Sequence, residues 1–167
     1  MSQYSKEFIK EIAERTKENL ENYQGKYDVT HLINSAVGLI MIPHAKCYNK
    51  IENSFVSPKI LEILRNSIRK NSYLEDGECI ELRDLIKHIR NGIAHSNIHF
   101  NSGKSRGKTQ IYDILIKDHR KQYTYKDKAT GEKKTKPAAD FEIILNISDL
   151  QEFMIEFSEA IISNIII

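Results

Sequence analysis

Near the middle of the chain, apolar side chains recur at helical spacing. This pattern limits the folds that the sequence can adopt. It consists of Leu82, Leu85, Ile86, Ile89 and Ile93. Because residues three and four apart lie on the same face of an α-helix, these side chains form one continuous stripe. The pattern predicts an amphipathic helix over about residues 79–93 whose apolar stripe packs against the rest of the protein.

A second stripe on the same predicted helix is polar and reaches the end of the helix. It consists of Asp84, His88, Asn91 and His95, with Arg83, Lys87 and Arg90 on the adjoining row. A histidine exchanges protons near neutral pH, and an arginine fork fits phosphate oxygens, so this set suits chemistry on a phosphodiester. Spacing alone is equally consistent with polar residues at a frayed helix end, since short motifs of this kind are common.

The segment from Leu82 to Ile98, LRDLIKHIRNGIAHSNI, resembles the signature of the HEPN superfamily. That signature is an arginine, a polar residue, a few small or apolar residues and then a histidine. Arg90, Asn91 and His95 match it. Residues 27–43 and the β-rich segment before the last predicted helix are also similar to one HEPN branch that is found on plasmids and in defence loci.

The resemblance implies a mainly α fold, namely a HEPN-like helical bundle of about four to five helices with a small antiparallel β-hairpin insertion near 109–147. It implies one HEPN-like domain over residues 1–167, with the β insertion spanning about 98–147. Active HEPN proteins are metal-independent ribonucleases in which the motifs of two protomers meet at a dimer interface. Gly92 and Ala94 are small enough to allow another backbone to approach the motif.

The function implied by the resemblance is endoribonuclease activity with Arg90, Asn91 and His95 as the catalytic residues of a homodimer. The expected products carry a 2′,3′-cyclic phosphate and a 5′-hydroxyl, and the expected role is a toxin or anti-phage effector, with an antitoxin or inhibitor protein as a partner. Asn97 stands where HEPN toxins paired with nucleotidyltransferase antitoxins have a tyrosine, which argues against that pairing. The alternative is a catalytically silent HEPN module that binds RNA or dimerises and regulates a partner.

Hydrophobic periodicity and turn signals predict the remaining elements of the fold. Helices are predicted over 3–23, 29–42, 58–71 and 148–165, and strands over 109–117, 121–126 and 140–147. The second helix is apolar on nearly all sides, which is typical of the central helix of a bundle, and Pro43 is expected to end it.

The charge of the chain is distributed unevenly. The net charge is +2, but residues 104–136 contain eleven Lys and Arg against four Asp and Glu, a local net charge of +7. Such a concentration is expected of a surface that binds a polyanion, and a solvated lysine-rich loop explains it equally well. The candidate RNA-binding residues are Lys87, Lys104, Arg106 and Lys108.

The sequence predicts no metal and no cofactor. His95 and His99, and His44 and Cys47, have spacings seen in metal sites, but neither pair has an evident third or fourth ligand. The glycine-rich segment 103–109 has three residues between its glycines where a phosphate-binding loop needs four. With two cysteines, no signal peptide and no apolar run long enough to span a bilayer, we expect a cytoplasmic protein with reduced thiols and no membrane contact.

Overall fold

The computed structural model describes residues 3–22, 28–75, 78–105 and 108–164, and it contains both helices and sheets. The helices are α1 (Gln3–Asn22), α2 (Asp28–Cys47), α3 (Pro58–Asn66), α4 (Leu82–Ala94) and α5 (Ile147–Asn164). The strands are β1 (Ile68–Asn71), β2 (Ile98–Ser105), β3 (Lys108–Arg120), β4 (Tyr123–Lys126), β5 (Lys133–Lys136) and β6 (Ala139–Asn146). None of the described helices is long and apolar enough to cross a lipid bilayer.

Four of the strands form one antiparallel sheet in the order β1-β6-β3-β2, and β4 and β5 form a separate two-stranded sheet. One face of the larger sheet is buried, as the alternation along β6 shows: Phe141, Ile143 and Leu145 are fully buried between half-buried neighbours. Helices α4 and α5 lie against the sheet, while α1 and α2 pack on these helices. The apolar faces of helices and sheet therefore meet in one core.

The pairing of β3 with β6 determines which side chains of β3 point into the core. Ile114 lies opposite Leu145, Ile116 opposite Ile143, and Asp118 opposite Phe141. Because side chains two residues apart share a face of a strand, Asp118 follows Ile114 and Ile116 onto the buried face. A carboxylate is thus carried into the interior directly beneath α4.

The prediction of a mainly α bundle with one small hairpin was wrong. The structure has five helices and, in addition, a four-stranded antiparallel sheet and a second two-stranded sheet. Residues 98–105 form the strand β2, which pairs with β3 from Ile98–Ile116 to Ser105–Lys108. The predicted strand over 121–126 corresponds to β4, which pairs with β5 and takes no part in the larger sheet.

Three helix boundaries also differ from the prediction. Helix α4 begins at Leu82 and not near residue 79, and the ends of α3 and α2 are displaced. The helix predicted over 58–71 ends at Asn66, and the next residues form β1 at the edge of the sheet. The backbone N–H of Ile144 donates to the carbonyl of Ser67 at 3.0 Å, so pairing with β6 outweighs the local helical pattern. Helix α2 continues past Pro43 to Cys47, although a proline inside a helix lacks the N–H of one hydrogen bond and usually ends or kinks the helix.

Candidate active site at the end of helix α4

Helix α4 has the buried stripe that its sequence predicts. Leu82, Leu85, Ile86 and Ile89 are fully buried. The first helical N–H, from Leu82, is satisfied by the side-chain oxygen of Asn53 at 2.8 Å. The stripe holds the helix against β3 and so fixes the direction in which its polar stripe points.

Gly92 is the point of closest approach between α4 and β3. A Cβ atom at Gly92 would lie 2.4 Å from Cγ2 of Ile116 and 2.8 Å from the carbonyl oxygen of Lys117. The expectation that Gly92 is small enough to allow another backbone to approach is confirmed, and the backbone that approaches is β3 of the same chain. The glycine allows the helix end to sit almost in contact with the strand that carries Asp118.

The polar stripe of α4 passes from the interior to the surface. His88 is 4% exposed, Asn91 is half-buried and His95 is exposed. Asp118 is 6% exposed and accepts hydrogen bonds from His88 and Asn91. The His88 Nδ1–H donates to Oδ2 of Asp118 at 2.7 Å, and the Asn91 side-chain amide donates to the same oxygen at 3.1 Å.

The pKa of the Asp118 carboxyl reflects two opposing effects. Burial raises the pKa, but the hydrogen bonds from His88 and Asn91, with the charges of the nearby His88 and His95 imidazoles, lower it more. The net effect places the pKa below its ordinary value of 3.8, so the buried carboxyl is ionised at neutral pH. An ionised Asp118 accepts hydrogen bonds only, which fixes the donor roles of its two partners.

Two aromatic rings hold the imidazole of His88 in place. The ring of Phe141 stacks on it with centroids 4.7 Å apart, and the ring of Tyr73 lies tilted against it at 4.3 Å. The guanidinium carbon of Arg120 lies 4.8 Å from the centroid of the Tyr73 ring. This packing restricts rotation of the imidazole and keeps its Nδ1 atom directed at Asp118.

Arg90 is connected to the buried carboxylate through Asn91. One terminal nitrogen of its guanidinium, Nη1, donates to the side-chain oxygen of Asn91 at 2.9 Å, while the amide nitrogen of Asn91 is bound to Asp118. Both ends of the Asn91 amide are therefore engaged, and its orientation is fixed. The Nε atom of Arg90 is buried and has no hydrogen-bond partner among the described residues.

His95 is the C-cap residue of α4, and its backbone is fixed by the hydrogen bonds that end the helix. The N–H of Ser96 donates to Ile93 at 3.0 Å and that of Asn97 to Gly92 at 2.9 Å, while Ser96 has a positive φ of 56°. This is the Schellman arrangement of a helix C-terminus. The structure thus presents the His95 side chain to solvent from a rigid backbone.

The structure brings only some of the predicted site residues together. Arg90 and Asn91 are in direct contact, and His95 lies one helical turn beyond Asn91. Lys87 lies on the exposed side of α4, with its Nζ 3.9 Å from a carboxylate oxygen of Asp84. Lys104 pairs with Thr109, eight residues before Lys117 on β3. It is therefore roughly 26 Å along the strand from the motif.

Two of the predicted RNA-binding positions are at the edge of what the structure describes. Arg106 lies outside the described residues. Lys108 begins β3 as a backbone position, and its side chain is likewise outside the described part. The backbone of Lys108 pairs with Ser105, at the end of the β2–β3 ladder that lies farthest from the motif.

Sequence reasoning missed Asp118 and gave His88 no role. The signal for Asp118 was its period-two spacing from Ile114 and Ile116, which places a carboxylate on the buried face of a strand. A buried carboxylate requires hydrogen-bond donors, and the polar stripe of the preceding helix supplies them. In the described part of the chain, no three His, Cys, Asp or Glu side chains converge in a metal-binding arrangement.

Comparison with known proteins identifies the family. A family model described as HEPN pEK499 p136 matches residues 1–166, so this chain belongs to the HEPN proteins, in a plasmid-associated branch. The predicted membership of the HEPN superfamily is thereby confirmed. No curated protein and no solved structure matches the chain. Membership of the HEPN family supports a nuclease or RNA-related role.

Proposed function

We propose that this protein is a metal-independent endoribonuclease whose reacting groups are His95 and Arg90. The observation that carries the proposal is the chain of hydrogen bonds from buried Asp118 through Asn91 to Arg90. It fixes the permanently charged guanidinium of Arg90 in the last turns of the helix whose C-cap residue is His95. Positioned donors that act on developing negative charge are a major source of catalytic rate.

Arg90 supplies the charge that the reaction requires. When the 2′-oxygen of RNA attacks the adjacent phosphorus and the bond to the 5′-oxygen breaks, negative charge develops on the non-bridging phosphate oxygens. A guanidinium binds such oxygens through a planar fork, and its fixed hydrogen bond to Asn91 reduces the freedom lost on binding RNA.

His95 supplies the proton transfer. It accepts the proton of the attacking 2′-hydroxyl or gives a proton to the departing 5′-oxygen, and water makes the other of these two transfers. One proton is lost and one gained, and the products are a 2′,3′-cyclic phosphate and a 5′-hydroxyl. Its exposure allows contact with RNA, and its capped backbone holds the imidazole near the helix end. No step in this scheme requires a metal ion.

The role of Asn91 differs from that of the other two motif residues. The side-chain oxygen of Asn91 accepts a hydrogen bond from Arg90, and its amide nitrogen donates one to Asp118. Asn91 therefore orients Arg90. The proposal therefore treats Asn91, His88 and Asp118 as positioning residues, and only Arg90 and His95 as groups that touch RNA.

The proposal includes a homodimer, as in active HEPN proteins, in which the motifs of two protomers face one another. Since Gly92 is covered by β3, a second protomer must approach α4 from its exposed side, where Arg83, Lys87 and Ala94 lie. We further propose a cytoplasmic toxin or anti-phage effector that a partner protein restrains.

The proposal is tested by incubating purified protein with total and transfer RNA in EDTA and mapping the product ends. Wild-type protein is expected to produce cyclic-phosphate ends, and the His95→Ala variant to produce none. Uncut RNA with folded wild-type protein, or equal cutting by the variant, would contradict the assignment.

A second candidate, a silent RNA-binding or dimerisation module, is favoured by one observation. Two of the three motif residues, Arg90 and Asn91, are engaged in hydrogen bonds within the protomer, as they are in a purely structural motif. Such a module would bind RNA with a steep dependence on salt and would cut none.

A further inference from the structure

The two-stranded sheet of β4 and β5, with the turns that flank it, projects from the end of β3; residues 121–136 are here named the basic arm. Every residue of β5 is exposed, and no residue of the basic arm is buried. An isolated two-stranded hairpin is at best marginally stable in water. The arm therefore contributes little to the core, and its sequence has to be explained by what it presents to solvent.

The charge of the basic arm is strongly positive. It contains six lysines, Lys121, Lys126, Lys128, Lys133, Lys134 and Lys136, against Asp127 and Glu132. Asp127 is used within the arm, since it accepts hydrogen bonds from the N–H groups of Ala129 and Thr130 and pairs with Lys134 at 2.5 Å. The hydrogen bond from Lys134 has the largest effect in lowering the pKa of Asp127, and the backbone bonds from Thr130 and Ala129 add to it. The Asp127 carboxyl is therefore ionised.

The two tyrosines of the arm lie on the same face as two of its lysines. The strand register places Tyr123 opposite Lys136 and Tyr125 opposite Lys134, while the opposite face carries Lys126 and Lys133. The two tyrosine rings are 6.0 Å apart, and Nζ of Lys136 lies 5.8 Å from the centre of the Tyr125 ring. Tyr123 is 45% exposed and has no place in the core.

An exposed tyrosine ring and a half-buried one, next to cations on a narrow strand pair, match the chemistry of single-stranded nucleic acid. Unpaired bases stack on tyrosine rings, and lysines neutralise the phosphates between them. An acidic protein would satisfy the lysines but would gain nothing comparable from the exposed ring of Tyr123 and the half-buried ring of Tyr125. The arm thus favours a ligand that carries both negative charge and flat faces.

The basic arm is also close to the motif. Asp118 precedes Tyr123 by five residues, so at most about 18 Å of extended chain separates them. Nε of Arg120 donates to the carbonyl of Pro137 at 3.2 Å and closes the base of the arm. By comparison, Lys104 lies about 26 Å from the motif in the opposite direction along β3.

We propose that the basic arm binds a single-stranded segment of the RNA that the motif acts on, with bases stacked on Tyr123 and Tyr125. Lysines on both faces of the arm contact the phosphates. The inference rests on the proposed function in one respect, that the bound RNA is the substrate. It assigns the arm a role in choosing single-stranded RNA and in setting the position of the cut.

The stacking part is tested by fluorescence anisotropy in the His95→Ala background, where the RNA stays intact. The probe is a labelled single-stranded RNA of about 12 nucleotides. Tyr123→Ala with Tyr125→Ala is expected to raise Kd about tenfold or more, whereas the two Tyr→Phe changes, which keep the rings, leave it nearly unchanged. A double-alanine variant that binds as tightly as its parent would overturn the inference.

The contribution of the arm lysines to RNA binding is tested with a matched control. Lys126→Gln with Lys133→Gln is expected to reduce the slope of log K against log salt by about 1.4, since each phosphate contact on a single strand contributes about 0.7. Lys10→Gln with Lys59→Gln removes the same charge from α1 and α3 and is expected to leave the slope unchanged. Equal effects of both pairs would contradict a specific site.

The ligand class and the proposed function are separated by two further measurements. Polyglutamate that displaces the RNA as effectively as unlabelled RNA does would overturn the assignment to nucleic acid. Cleavage is measured separately with His95 intact. If the arm variants lose RNA binding and the wild type does not cut, the arm is an RNA-binding site and the nuclease proposal is refuted. If the wild type cuts and the arm variants bind RNA unchanged, the nuclease proposal is supported and the role of the arm is refuted.

Discussion

The Nδ1 atom of His88 lies 2.7 Å from Oδ2 of Asp118, although the two residues are 30 positions apart in the chain. The same carboxylate oxygen binds Asn91, which in turn binds Arg90. One buried carboxylate therefore orients the guanidinium that we assign to the scissile phosphate. The arrangement links the stability of the α4–β3 contact to the geometry of the site.

Replacement of Asp118 is expected to reduce both stability and activity. Asp118→Ala leaves the buried donors of His88 and Asn91 without an acceptor, which typically costs about 1–3 kcal/mol for each unsatisfied group. Asp118→Asn keeps one acceptor oxygen and should lose less. The free energy of unfolding in urea and the cleavage rate are measured together; an alanine variant as stable as wild type would show that the contact is unimportant.

Stability is expected to depend on pH through Asp118. Its folded-state pKa is below its ordinary value of 3.8, so the unfolded chain binds the proton more readily. The stabilisation is then fully present above the ordinary pKa and is lost as pH falls through the folded-state pKa. Urea unfolding between about pH 2 and 7 should show a flatter dependence for Asp118→Asn than for wild type. Identical curves would contradict the lowered pKa.

Gly92→Ala is expected to destabilise the protein and impair the site. The new methyl group would overlap Ile116 and, more seriously, the backbone carbonyl of Lys117, which a side-chain rotation cannot relieve. Overpacking of this kind costs about 1–3 kcal/mol. Gly38→Ala in α2 is the control, because its Cβ would meet nothing within 4 Å and should stabilise the helix by about 0.5–1 kcal/mol. Equal changes in urea midpoint for the two variants would contradict the close contact.

Arg90→Lys is expected to reduce the rate of RNA cleavage, although the substitution is usually regarded as conservative. Lysine keeps the charge but lacks the planar fork that binds Asn91 and phosphate together. The expected loss in cleavage rate is about 10²–10³-fold, the same range as for loss of a transition-state donor. Arg15→Lys, on the exposed face of α1 and outside the site, is the comparison and is expected to leave cutting unchanged. Near wild-type cutting by Arg90→Lys would mean that only charge is needed.

Local pattern was sufficient to find the motif helix. The predicted stripe is set by spacing within four residues, and the structure buries Leu82, Leu85, Ile86 and Ile89 fully and Ile93 partly. The predicted neighbours Arg90 and Asn91 are in contact for the same local reason. By contrast, β1 carries no breaker that separates it from α3 and becomes a strand only because β6 offers a partner.

The sequence by itself determined the amphipathic helix, the order of its polar residues and the HEPN motif, because each depends on residues within one or two helical turns. Only the tertiary structure decided that four strands form a sheet, that Gly92 lies against β3 and that Asp118 accepts hydrogen bonds from both His88 and Asn91. Strand pairing and burial join residues that are distant in the chain. Their free energy comes from contacts that no local pattern encodes.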